Sequence, residues 1–274
     1  MKCNEQGGEM MNCKDVICQL EKRWNSSYAM NWDNVGLLVG REEKEVKKLF
    51  VALDITEANL EQAYAFGADM IITHHPLLFS PVKKITTGDF IGRRLISMIQ
   101  KDVCYYAMHT NFDVKGMAQL NQECLGLKNA EVLEVTVVEE EDGDMHQEGI
   151  GRIGNLPKSM ALTDFAAEVK QRFQIPDVRV YGDCEKEIAR VAVSSGSGKS
   201  MVKEALKKRV DVLVTGDIDY HTGIDAAAQG MAIIDAGHYG TEYVFIDYMK
   251  KELEKMFPNM EVGAAVVSHP YLVL

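Results

Sequence analysis

The residues best suited to chemistry are histidines and carboxylates placed where apolar runs stop. Met70–Phe79 reads MIITHHPLLF, so His74 and His75 stand side by side at the end of a run in which neighbouring side chains would point to opposite faces. The same placement recurs along the chain. HTNFD (His109–Asp113) follows VCYYAM, SGSGK follows VAVS, GDIDYH follows VLVT, and AGHYGTE follows AIID. In α/β sheets, ligand sites form outside the carboxyl ends of strands. There the chain turns, Pro76 restricts the residue before it, and two adjacent imidazoles can converge instead of diverging.

Taken together, His74, His75, Asp113, His238 and Glu242 form a donor set made only of nitrogen and oxygen. Such ligands suit Zn, Fe, Mn, Ni or Mg, and the lack of a cysteine cluster argues against a structural zinc site. Glu242 lies four residues after His238, so both side chains share one helix face and the carboxylate can bridge two metals. Two ions about 3.5–4 Å apart would polarise a shared water and orient an oxygen-rich substrate. Alone, Asp113 would read as the N-cap of a helix starting at Lys115, and Glu242 as a complement to a helix dipole. His109 and His221 are candidate catalytic proton carriers; with Asp219 they otherwise read as groups that hold a site from behind. His146 and His269 lack such company.

The elements that position these residues follow from hydrophobic spacing. Strands are expected at Lys48–Ile55, Asp69–Thr73 and Val103–His109, with helices at Asp15–Trp24, Glu57–Phe66, Asp89–Lys101 and Lys115–Leu125. The acidic, aperiodic stretch from Glu139 to Gly149 reads as a hairpin tip or a domain junction. Beyond it come helices at Met160–Phe173, Ser200–Arg209, Thr222–Gln229 and Glu242–Phe257. Strands are expected at Val178–Tyr181, Ile188–Ser194, Val212–Thr215, Met231–Asp235 and Gly263–Val267. The class is α/β. Residues 1–128 with 241–274 form a first lobe, and residues 129–240 a second.

Charge narrows the partners. The 274 residues carry 30 Lys and Arg against 41 Asp and Glu, a formal net charge of −11, which repels nucleic acid and anionic membranes alike. A small anionic ligand would need a local cation, and in an acidic protein a metal supplies one. The six cysteines show no CxxC pair, the N-terminus lacks a signal-peptide pattern, and no apolar run approaches a membrane span, so a soluble protein of a reducing cytoplasm is expected.

Two motifs mislead. Gly149–Gly154 reads GIGRIG, a literal GxGxxG, but an acidic loop precedes it and Asn155, Leu156 and Pro157 follow, so it reads as glycine in a twisted strand or hairpin rather than a dinucleotide fingerprint. Val193–Ser200, VSSGSGKS, has valine where a P-loop needs its first glycine. Its Gly196 and Gly198 still suit a ligand-facing turn between strand and helix.

NWDNVGLLVG (Asn31–Gly40), ITHHP, HTNFD, GRIG, SGSG, TGD and DAGHYGTE occur in this order over nearly the whole chain. In them the chain resembles the NIF3-like proteins, also named the GTP cyclohydrolase 1 type 2 family. The resemblance implies two similar α/β lobes and a dinuclear metal site in the cleft between them, with His74, His75, Asp113, His238 and Glu242 as ligands. It also implies a ring-shaped homohexamer. Some members carry a central regulatory insertion, for which the span from Val138 to Gly149 is too short. The implied reaction is hydrolytic opening of the guanine ring of GTP to formate and 7,8-dihydroneopterin triphosphate, with His109 or His221 moving protons; the resemblance assigns no cations to the triphosphate, for which Lys199 is the candidate in this sequence. Two other classes suit the same donors: a metal-dependent phosphoesterase or nucleotide hydrolase, and a non-catalytic metal-binding regulatory ring.

Overall fold

The computed structural model describes residues 11–141 and 144–273. In chain order the elements are α1 (Cys13–Arg23), β1 (Gly36–Val39), β2 (Lys48–Ala52), α2 (Glu57–Phe66), β3 (Met70–Thr73), α3 (Phe90–Gln100), β4 (Cys104–Ala107) and α4 (Thr110–Phe112). A π turn (Asp113–Met117), α5 (Ala118–Leu125), β5 (Lys128–Glu141), β6 (Asp144–Ala161), α6 (Leu162–Arg172), β7 (Arg179–Tyr181) and β8 (Glu187–Ser197) follow. The chain continues with α7 (Val202–Lys207), β9 (Val212–Gly216), α8 (Tyr220–Ala228), β10 (Ala232–Asp235), α9 (His238–Glu242), α10 (Val244–Met256) and β11 (Glu261–Ala264).

Two compact units result, Met1–Phe112 with Val244–Val267, and Asp113–Tyr243 with Ser268–Leu274. In the first, a five-stranded sheet runs β1-β4-β3-β2-β11, parallel except for β1, which pairs antiparallel with β4 at the edge. The runs MIIT and CYYA are buried at every position, the signature of parallel strands covered on both faces. Start and stop signals are local: Asn12 and Asp15 form a reciprocal capping box on α1, and α2 runs from the Thr56 cap to Gly67 in the left-handed conformation.

The second unit carries a six-stranded sheet in the order β5-β6-β8-β9-β10-β7, in which β8, β9 and β10 are parallel. Alternate residues of these strands serve different cores. Val191, Val193, Val212 and Val214 join Phe165, Val169 and Phe173 of the α6 side, while Ala192, Leu213 and Ile233 join Ala205 and Ala226 of the α7 and α8 side.

Several expectations are corrected. Of the two readings of the acidic stretch after Val138, the hairpin holds and the domain junction does not: β5 and β6 pair antiparallel up to Glu141 and Asp144, and the residues between these lie outside the described set. The first division falls at Phe112/Asp113 rather than after residue 128, because Leu125 and Leu127 pack into the core of the second unit. The other division falls at Tyr243/Val244 rather than after residue 240, and the last residues belong with the second unit, where the Ser268 N–H donates to the Tyr239 hydroxyl at 3.0 Å. Asp113 caps no helix at Lys115; it opens the π turn that joins α4 to α5. The helix expected from Glu242 is two, α9 ending there and α10 beginning at Val244. GIGRIG lies inside β6, as a hairpin strand should. Cys13, Cys104, Cys124 and Cys184 are free thiols, and Cys18 is disulfide-bonded. Among the described residues, no helix is long and apolar enough to cross a membrane.

The edge pairing of β1 on β4 generates a first prediction. Gly40 has φ +120°, and a Cβ there would lie 2.6 Å from Cys104 Sγ and 2.8 Å from Cys104 Cα, a backbone atom that cannot swing away. Gly40→Ala should therefore lose about 3 kcal/mol or more of stability, read as a lower urea midpoint.

Candidate functional site

In the first unit the turn after β3 is pinned from below. Thr73 Oγ1 donates to the His75 carbonyl at 2.7 Å, and the Tyr105 hydroxyl donates to the same oxygen at 2.9 Å while accepting from the Leu77 N–H at 2.9 Å. Burial pushes the Tyr105 phenol well above its usual range, which keeps it a donor. The His75 N–H donates to Leu53 O at 3.0 Å.

Each imidazole carried by this unit's strand ends is held at Nδ1. His74 Nδ1 lies 3.0 Å from the Met108 carbonyl, which can only accept, so the proton is on Nδ1 and Nε2 is the ring's acceptor nitrogen. His75 Nδ1 meets Asp54 Oδ1 at 2.9 Å, and His109 Nδ1 meets Asp33 Oδ1 at 2.9 Å. One ligand atom from each of His74, His75 and His109 lies within 4.8 Å of the others. His74 is buried, its ring packed against Phe112 and Phe245 with centroids 6.1 and 5.5 Å away.

Every residue of HTNF is used. Thr110 donates to Asp33 Oδ2 from its N–H at 3.0 Å and its hydroxyl at 2.5 Å, buried Asn111 donates to Trp24 O at 2.9 Å, and Phe112 backs His74. Burial pushes the Asp33 carboxyl up, but the hydrogen bonds from His109 and Thr110 outweigh it and hold it down at about 2.

In the second unit, Asp113 stands at the start of the π turn and Ser195 Oγ donates to its Oδ1 at 3.3 Å. A π turn inside a helical run commonly marks a functional position. The next residue, Gly196, sits at φ +62° and donates its N–H to Thr241 Oγ1 at 2.9 Å, fastening the end of β8 to α9. On one face of α9, His238 Nε2 lies 3.1 Å from Glu242 Oε2. His238 Nδ1 meets Asp217 Oδ2 at 2.7 Å, and Asp217 holds a left-handed backbone at φ 55° to bring its carboxylate there. Buried Asp235 fixes both flanks, accepting from the Ile218 N–H and the Gly237 N–H at 3.0 Å each.

These donor sets fit a divalent cation. The atoms are imidazole nitrogen and carboxylate oxygen, and the far nitrogen of every ring rests on an oxygen, the arrangement that fixes tautomer and raises ligand basicity. A Cβ on Gly196 would lie 2.3 Å from Glu242 Oε1 and 3.3 Å from His238 Nε2, so glycine keeps open the space those donors face. The buried His, Asp and Glu groups can therefore bind metal.

Of the other candidates, His221 is exposed in the first turn of α8 beside Tyr220, and Lys199 is exposed with its Nζ 2.8 Å from Asp219 Oδ2, a residue that also caps α8. Sequence reasoning missed Asp33, Asp54, Asp217, Asp235 and Ser195. Asp33, Asp217, Asp235 and Ser195 fall inside the quoted motifs, but single carboxylates beside a strand end carry no spacing that singles them out.

A two-sheet α/β protein with histidine and carboxylate clusters at strand ends is the class that the fold and these donors define. The model of the Duf34/NIF3 (NGG1p interacting factor 3) family matches residues 11–270, and the chain belongs to that family. It is 35% identical over 259 residues to a GTP cyclohydrolase 1 type 2 homolog of Clostridium acetobutylicum, covering 94% of this chain and 95% of that one. Among solved structures it resembles a Bacillus cereus protein related to NIF3, with 27% identity and a TM-score of 0.91 over 97% of this chain and 100% of that one. Reduced HcgD from Methanocaldococcus jannaschii has 28% identity and a TM-score of 0.78 over 93% and 98%.

Two predictions arise from this geometry. Asp33→Ala removes the acceptor of three buried or half-buried donors and should cost about 2–4 kcal/mol in a urea titration. Asp54→Asn and Asp217→Asn should leave the urea midpoint within experimental scatter yet weaken Zn binding about 10–100-fold each by calorimetry. Unchanged affinity in both variants contradicts an orienting role.

Proposed function

We propose that His74 and His75, with Asp113, His238 and Glu242, hold two divalent metal ions, and that the chain is a metal-dependent hydrolase of the GTP cyclohydrolase 1 type 2 kind. One observation carries this reading: all four imidazoles concerned, including His109, rest their Nδ1 on oxygen acceptors. Histidines that ligate a metal almost always donate their other ring N–H to an oxygen in this way. Bound cations of this class supply Lewis acidity and lower the pKa of water. The chain's own residues do the rest. Asp54 and Asp217 aim imidazoles, Gly196 keeps room beside Glu242, and His109, backed by Asp33, is the base or acid beside His74 and His75, with ring centroids 5.2 and 5.6 Å away. His221 is the second candidate proton carrier.

The substrate is a small molecule, a nucleotide such as GTP. Support comes from the name borne by the relatives, GTP cyclohydrolase 1 type 2 homolog. Assembly as a homohexamer and a cytoplasmic location complete the proposal.

The test joins metal content to turnover. Protein purified without affinity-tag metals should contain two divalent ions per chain by elemental analysis, and should release formate from GTP with multiple turnovers. His75→Ala should lose metal and formate together, whereas His109→Ala should keep metal and lose turnover at least about 100-fold, the usual scale of proton-transfer catalysis. Phosphate without formate would instead assign a phosphoesterase. Metal with no turnover on a nucleotide and phosphoester panel would assign a regulatory ring, and trace metal alone would refute the centre.

A further inference from the structure

The tripeptide Trp32-Asp33-Asn34 does three separate things. Asp33 takes His109 Nδ1, and Asn34 Nδ2 donates to the Leu78 carbonyl at 2.6 Å, tying this loop to the one that follows His75 and Pro76. Trp32 and Phe79, the residues beside these two ties, are left 66% and 56% exposed. Both rings nonetheless lie against the same imidazole: Trp32 is 6.0 Å from His109 with planes at 74°, and Phe79 is 5.7 Å away with planes at 84°.

Two large aromatic side chains left in water contribute little to this unit's core, and a contiguous exposed apolar surface beside a cluster of functional groups marks a binding surface. Their backbones are held by neighbours, so little ordering entropy remains to be lost when a ligand arrives. The immediate neighbours of the two rings, Asn31 and Asp33 beside Trp32 and Leu78 and Ser80 beside Phe79, include no cation, and the first lysine, Lys83, comes four residues after Phe79. What exposed, preset aromatic faces recognise is a flat π system.

We propose that Trp32 and Phe79 form a stacking platform for the purine base of the substrate, set against His109. The inference rests on reading the histidine cluster as a substrate site, and it assigns the base, not the phosphates, to this edge. A second copy of the chain or another protein covering the two rings is the competing occupant.

Intrinsic fluorescence tests it directly, since the chain has two tryptophans and Trp24 is fully buried. Full-length protein, with and without Zn, is titrated with guanosine, cytidine, ribose 5-phosphate and inorganic tripolyphosphate. Guanosine should quench the emission saturably in both preparations, and cytidine more weakly. Trp32→Leu should abolish the guanosine signal, and Phe79→Ala should weaken the apparent affinity for guanosine by about tenfold, the scale of one lost aromatic contact to a base. Calorimetric binding of tripolyphosphate and the bound Zn should be unchanged in both variants, whose circular dichroism should match the parent.

Absence of guanosine binding in the parent, or affinity by calorimetry unchanged in both variants, overturns the platform. If that happens while metal and formate release persist, the proposed function stands and this inference alone fails. Guanosine binding that depends on Trp32 in a chain that never holds metal upholds the platform and refutes the metal centre instead.

Discussion

An imidazole presents a ligand nitrogen in a fixed direction only when its other nitrogen is held. Here that constraint is met by one carbonyl and three carboxylates: Met108 O, Asp54, Asp33 and Asp217. Each partner comes from an element other than the one bearing its histidine, so the orientation of every ring depends on tertiary structure. The Met108 carbonyl reaches His74 only because β4 runs parallel to β3 in register, Thr73 opposite Ala107. Asp54 reaches His75 because β2 flanks β3 on the other side, Ala52 opposite Thr73. A register slip of one residue would turn both rings away.

The second unit solves the same problem with a different device. Its parallel strands also deliver their ends to one edge, but His238 lies on a helix of one turn, and its partner Asp217 sits in a left-handed conformation between β9 and α8. Such a backbone is costly for a residue with a Cβ and persists only when its surroundings insist on it. Asp235 supplies that insistence by accepting N–H groups on both flanks, from Ile218 just after Asp217 and from Gly237 just before His238. The paired carboxylates at 217 and 235 thus act in series, the buried one shaping the loops and the exposed one aiming the ring.

Much of this was legible in the sequence, and for identifiable reasons. Strands that are buried on both faces read as unbroken apolar runs, so β2, β3, β4, β9 and β10 stand out, and with them the strand-end histidines. β5 did not stand out. Its acidic alternation, EVLEVTVVEE, pairs with β6 and has Leu133 as its one buried residue, so no hydrophobic contrast marks it. The unit boundary was missed because helix and turn chemistry at residues 110–125 says nothing about which core Leu125 and Leu127 will join. Spacing singles out candidate donors when they fall at i and i+4 on one helix, as His238 and Glu242 do, but not the acceptors behind the imidazoles, which lie 21 to 76 residues away.

That asymmetry explains why the family motifs are longer than a ligand list needs. In HTNFD, only the first and last residues are candidates for chemistry, yet the three between are buried: Thr110 donates to Asp33 behind His109, Phe112 packs on His74, and Asn111 donates to the Trp24 carbonyl. In WDN, the middle residue aims His109, the last ties down the loop after Pro76, and the first serves neither task. Among the described residues Trp32 is the one of the three without a hydrogen-bonded tie of this kind, and its side chain is left 66% exposed. That ring stands edge to face with the His109 ring, so the exposed member of the motif lies beside the histidine cluster.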